Sequence, residues 1–276
     1  IKSIFDKRDI RDLRPDQVRL VELIYHSFAS NGANLKSSDK DAFTRINKRL
    51  AELYSLFSNN VLADEEGYVT FLRHEELAGL PESYVAAARE AARTRGRPED
   101  YAVTNTRSSM EPFLTYSELR ELRRKVWNNY YSRASNGDER DNNKLISEIL
   151  NLRHERSILL GYKSFAHWKL ENNMALTPEN AMGLLSSIWP AALKRVEDEV
   201  ADMQQLADSE GSGITIAPWD YRFYAEKVRQ QRFQLDSDEL RNYLQLDNLI
   251  QALFFVADKV FHYSFTPIED DSVTVF

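Results

Sequence analysis

Thr177–Met203 reads TPENAMGLLSSIWPAALKRVEDEVADM. Met182, Leu185, Trp189, Leu193, Val196, Val200 and Met203 recur every three or four residues, so one face of a long helix is apolar. Thr177 offers an N-cap oxygen and Pro178 occupies the first helical position, where a missing N–H costs nothing. Pro190 falls inside the pattern and is expected to kink the helix.

The same period returns on both sides. Phe43, Ile46, Leu50, Leu53, Phe57 and Val61 form a second stripe. Leu249, Leu253, Phe254, Ala257, Val260 and Phe261 form a third, rich in aromatics. Residues 138–160 predict a fourth helix, with DERDNN (Asp138–Asn143) as its acidic start and Gly161 as its left-handed cap. Shorter helices are predicted near 16–30, 82–94, 117–134, 164–173, 219–232 and 237–244. Strand signals are few: YAVT at 101–104 and SVTVF at 272–276. With only 9 glycines in 276 residues, tight turns are scarce. The expected fold is mainly all-α, an array of long helices with minor short strands.

Composition narrows the function. A chain 42% hydrophobic and 29% charged has the make-up of a folded globular protein. No apolar run reaches the 18 or so residues of a membrane span. The net charge of −7 argues against a nucleic-acid partner. The absence of cysteine excludes disulfides, thiolate metal sites and a cysteine nucleophile. A cytoplasmic location fits, and a periplasmic one stays open. The chain opens at Ile1, and its last β-branched run has no strand after it to pair with. Both features lead us to expect a piece of a longer protein.

The spacing of the histidines bears on metal binding. A zinc-binding helix presents two histidines four residues apart beside a glutamate. Four residues beyond His26, His74, His154 and His262 stand Ser30, Ala78, Ile158 and Thr266, so His74-Glu75 and His154-Glu155 begin the motif without completing it. His167 does meet Glu171, but two ligands make no site, and a helical hydrogen bond is the simpler reading. No phosphate loop, nucleophile elbow or complete EF-hand loop occurs. Spacing alone yields no catalytic residue and no metal ligand.

Longer stretches are more specific. LRHER (Leu152–Arg156), LLG (159–161) and MALTPE (Met174–Glu179) stand in order. MEPFLTYSELRELR (Met110–Arg123) precedes them, PWDYRFYAEKVR (Pro218–Arg229) follows, and FQLDSDELRNYLQLDNLIQALFFVADKVF continues to Phe261. Together these resemble the M3 zinc metallopeptidases, the thimet oligopeptidase and oligopeptidase A family, and most of all its peptidyl-dipeptidase branch. One departure is TPIEDDSVTVF, where that family usually carries a His-Pro-Asp.

The resemblance implies a helical clamshell around a narrow channel, cutting short peptides and, in that branch, releasing C-terminal dipeptides. It divides the chain into an N-terminal helical region, 1–110, and the start of the peptidase domain, 111–276. The family's zinc lies on a His-Glu-x-x-His motif and a further glutamate, none of which has a counterpart here. Zinc is therefore expected in the full-length enzyme and not on these residues, whose partners are short peptides and the catalytic half. The chain alone is expected to be inactive and to expose apolar surface where that half would pack.

Trp219, Tyr221, Phe223 and Tyr224 are candidate channel-wall residues, although aromatics at helical spacing more often pack a core, with Asp220 as a helix cap. A second reading is a freestanding helical module without catalysis that binds a peptide or protein partner.

Overall fold

The structure, a computed structural model, describes residues 1–8, 12–233 and 243–268. It divides into two compact units, Ile1–Phe223 and Tyr224–Phe276.

The first unit opens with α1 (Lys2–Phe5), α2 (Pro15–Ser30) and α3 (Ser37–Gly67). Strand β1 (Thr70–Leu72), a 3-10 turn at His74–Glu76, α4 (Glu82–Arg93) and β2 (Tyr101–Val103) follow. Next come α5 (Arg107–Tyr116), α6 (Arg120–Tyr131), α7 (Asn143–Leu159), α8 (Phe165–Leu170) and α9 (Pro178–Ser209). Helix α10 (Tyr221–Phe233) crosses into the second unit, which also contains α11 (Leu246–Phe261). The architecture is mainly all-α.

Two apolar clusters organise the first unit. On α3 the stripe buries Ile46, Leu50 and Leu53 against Ile149 of α7, with Tyr54, Leu145, Leu152 and Leu159 around them. The second cluster joins Leu72 of β1, Val103 of β2, Met110, Phe113 and Leu114 of α5, and Val126 of α6. Strands β1 and β2 pair antiparallel, Phe71 opposite Ala102. The strand near Tyr101 was legible in the sequence, but its partner was not.

Several predicted boundaries move. The helix expected at 117–134 is α6, three residues shorter at each end, and α5 precedes it. Pro112 lies inside α5, where a sequence reader sees a breaker. At Ser117 the backbone turns extended (φ −61°, ψ 126°) and separates the two helices.

The acidic DERDNN segment does not start a helix. It belongs to a loop that the buried Asp64 of α3 organises, accepting from the Ala134 N–H at 2.7 Å and Asn136 Nδ2 at 2.8 Å. Asn142 fastens the far side of the loop, donating to the Phe57 carbonyl at 3.1 Å and accepting from Asn60 at 2.8 Å. Helix α7 then begins at Asn143, whose N–H is taken by Asp141 at 2.8 Å.

Other signals hold. Gly161 is left-handed (φ +86°) just past α7, and the Thr177 hydroxyl caps α9 through the Asn180 N–H. Helix α9 continues through Pro190. Its stripe is buried only near the C-terminal end, at Met203 and Ala207. Leu184, Leu185, Ile188, Trp189, Leu193 and Val196 are exposed. In the second unit Phe254 of α11 stacks on Phe265, with ring centroids 4.5 Å apart. The helix predicted at 237–244 falls mostly, and the strand at 272–276 wholly, outside the described residues.

Candidate functional site

Three of the four candidate aromatics, Trp219, Tyr221 and Phe223, stand beside an ion cluster. Beyond α9, the chain from Ile214 to Asp220 runs back along the helix that precedes it. Gln204 holds it at both polar ends, donating to the Ile214 carbonyl at 2.8 Å and accepting from the Ile216 N–H at 3.0 Å. The segment closes on Asp220, which has no exposed surface.

A buried carboxylate needs donors, and α6 supplies them from residues about 100 positions earlier. Arg120 donates from Nη2 at 2.8 Å and from Nε at 3.1 Å, and Arg123 donates from Nη2 at 2.8 Å. The Ala217 N–H adds a further bond at 3.2 Å. Arg120 Nη2 also donates to the Thr215 carbonyl at 3.3 Å and Arg123 Nη1 to the Ser117 carbonyl at 2.7 Å, while Arg123 Nε is buried with no partner among the described residues. Burial by itself raises the Asp220 pKa, but the two guanidiniums and the Ala217 N–H more than offset it, so the net shift is downward. Asp220 therefore ties the segment to α6, a larger task than capping a helix.

Around this cluster Trp219 meets Trp127 edge-on, with centroids 6.0 Å apart, and the Arg120 and Arg124 guanidiniums lie within 6 Å of its ring. The Trp219 indole N–H is buried with no partner among the described residues. Phe223 carries the Arg123 guanidinium 4.2 Å from its centroid. Tyr221 is the exposed member and donates to Glu199 of α9 at 3.1 Å. Desolvation, then that glutamate, raise its pKa. Tyr224 is buried, and the Lys227 amine stands 5.7 Å from its ring. The structure thus gathers Trp219, Tyr221 and Phe223 about Asp220. A cleft of about 720 Å³ lies elsewhere, between α4 and β2, lined by Leu80, Val85, Ala86, Arg89, Pro98 and Tyr101 among others.

Arg120 and Arg123 were missed in the sequence. Both stand in the quoted MEPFLTYSELRELR stretch, but nothing in local spacing points across 100 residues to a carboxylate.

The His167 ring makes ordinary contacts. His167 Nδ1 lies 2.8 Å from the Ser164 hydroxyl, and its Nε2 lies 3.8 Å from Glu179. Glu171 instead accepts from the Tyr162 hydroxyl at 2.6 Å, so the His167–Glu171 pair does not form. Burial, then Glu171, push the Tyr162 pKa up to about 12. Among the described residues no three His, Asp or Glu side chains converge as a metal ion requires. These residues do not fit zinc, and no step of a zinc-dependent reaction is derived from them. No helix among them is long and apolar enough to cross a membrane.

An all-α scaffold pinned by a buried Arg–Asp–Arg cluster defines a structural class, and its lineage is set by its sequence relatives. The chain belongs to peptidase family M3, which its residues 113–276 match. It is 32% identical to the dipeptidyl carboxypeptidase of Escherichia coli strain K12 over 267 residues, 96% of this chain and 39% of that protein. It is 34% identical to oligopeptidase A of Haemophilus influenzae over 265 residues, 94% of this chain and 39% of that protein. Oligopeptidase A of Escherichia coli is 32% identical over 280 residues, 98% of this chain and 41% of that protein. The chain thus spans about two-fifths of the length of these curated relatives.

Proposed function

We propose that this chain is part of a zinc-dependent oligopeptidase that releases C-terminal dipeptides from short peptides, and that its helices form a non-catalytic wall of the substrate channel. The observation that carries this reading is the continuous match of residues 113–276 to peptidase family M3. The dipeptidyl carboxypeptidase relative supports the exopeptidase mode.

In this reading residues 1–110 form an N-terminal helical region and 111–276 begin the peptidase domain. Trp219, Tyr221, Phe223 and Tyr224 stand on the wall, with Asp220 fixing the backbone that presents Trp219. Zinc and the groups that activate water belong to the catalytic half, which is this chain's partner. Such an enzyme limits its substrates by steric exclusion, because a narrow channel admits only short unstructured peptides. A relative from Arabidopsis thaliana described as a probable cytosolic oligopeptidase A supports a cytoplasmic location.

The test compares the 276-residue chain with the complete reading frame from the same genome. The longer protein should contain one stoichiometric zinc and release dipeptides from a short peptide; the 276-residue chain should do neither. Zinc or dipeptide release by the shorter chain overturns the assignment of chemistry to the other half. A reading frame that stops at Phe276 favours the peptide- or protein-binding module instead.

A further inference from the structure

Where α3, α7 and α8 meet, the charges do not balance. Among the described arginines that are not exposed, Arg8, Arg120, Arg123, Arg133, Arg140, Arg222 and Arg229 each have a carboxylate within 4.0 Å. Arg153 and Arg156 are the exceptions, standing one turn apart on α7. Arg153 donates from Nε to the Tyr54 hydroxyl at 2.9 Å, and Arg156 from Nη1 to Asn47 Oδ1 at 2.9 Å. Both acceptors are neutral. The Arg156 Nε is buried without a partner among the described residues.

Aromatic faces hold these cations in place. The Arg153 guanidinium lies 5.3 Å from the Tyr54 ring and 4.9 Å from the Phe165 ring, and that of Arg156 lies 4.7 Å from Trp168. Lys169 of α8 brings a third positive charge, its amine 4.2 Å from the Trp168 ring, and it too has no carboxylate within 4 Å among the described residues. Phe165 and Trp168 meet edge-on at 5.6 Å, forming one shelf.

Burying a guanidinium without a counter-charge is unfavourable, and like charges one helical turn apart repel. Cation–π contact recovers only part of that. Desolvation, opposed by Tyr54 and reinforced by Arg153, lowers the Arg156 pKa, in keeping with an uncompensated pair. The open N–H groups of two neighbouring planar forks suit an acceptor with two oxygens.

We propose that Arg153, Arg156 and Lys169 form an oxyanion site that takes a carboxylate or a phosphate group beside the shelf of Phe165 and Trp168. The site is independent of the peptidase reading.

The experiment titrates the 276-residue chain by calorimetry with inorganic phosphate and, separately, with succinate, at constant ionic strength. Saturable binding of one or both is expected, and the preferred anion identifies the source. Arg153→Gln and Arg156→Gln should each weaken that binding at least tenfold, whereas Arg89→Gln, the same charge change on α4, should leave it unaltered. Among the described residues the Arg153 side chain makes one hydrogen bond, so Arg153→Gln carries the comparison if Arg156→Gln does not fold. Absence of saturable binding by both anions overturns the proposal. So does wild-type affinity in Arg153→Gln, or an equal loss in Arg89→Gln.

Discussion

Asp220→Asn removes one charge with little change of shape, and so tests how the Ile1–Phe223 unit is held. The carboxylate is wholly buried; the side chain of Arg123 is 2% exposed and that of Arg120 34%. An asparagine keeps one acceptor but turns an amide N–H₂ toward guanidiniums that already point there. Removing one partner of a buried ion pair costs about 3–5 kcal/mol. Solvent screens the Arg120 arm, which places the expected loss at the lower end, about 3 kcal/mol. For a unit of this size that is a fall in Tm of roughly 6–12 °C.

The pH dependence supplies a second reading of the same residue. The folded Asp220 pKa lies below its ordinary value. A lowered carboxyl contributes stability that is fully present above its unfolded pKa, about 4, and is lost as pH falls through the folded value. The variant should therefore differ most from the wild type near neutrality, and the gap should narrow below about pH 4. Urea denaturation followed by far-UV circular dichroism at pH 7 and at pH 3 measures both. A loss at pH 7 below about 1 kcal/mol, the range of an exposed pair, would refute the reasoning. So would a gap that fails to narrow in acid.

Gly79 is left-handed (φ +82°), and a Cβ there would strike the Tyr116 carbonyl oxygen, while Gly96 (φ +76°) has open space around it. Thermal melts should show Gly79→Ala losing about 2–4 kcal/mol, the sum of backbone strain and a collision with backbone, and Gly96→Ala losing only the strain. The exposed ridge of α9 should bind a hydrophobic dye and promote self-association of the 276-residue chain. Trp189→Ser, at a position 64% exposed, should lower dye fluorescence and shift the size-exclusion profile toward monomer with little change in Tm; unchanged dye binding would remove α9 as the source.

Sequence and tertiary structure carry two kinds of information. Stripes such as Ile46, Leu50 and Leu53 announce α3 because the helical period brings them to one face whatever they later touch. Thr177 and Gly161 announce helix ends for a similarly local reason, since a cap acts within one turn. Helix α5 was hidden because Pro112 mimics a breaker, and the DERDNN loop because acids near a helix start also suit a helix's first turn.

The sequence by itself therefore determined the helical class and the family, both of which rest on residue type and near-neighbour spacing. Only the tertiary structure decided that Asp220 belongs to Arg120 and Arg123, that Asp64 governs a loop 70 residues away, and that Arg153 and Arg156 have no carboxylate beside them among the described residues. Charge pairing depends on distance through space, and in these pairs the chain brings together groups that no local period relates.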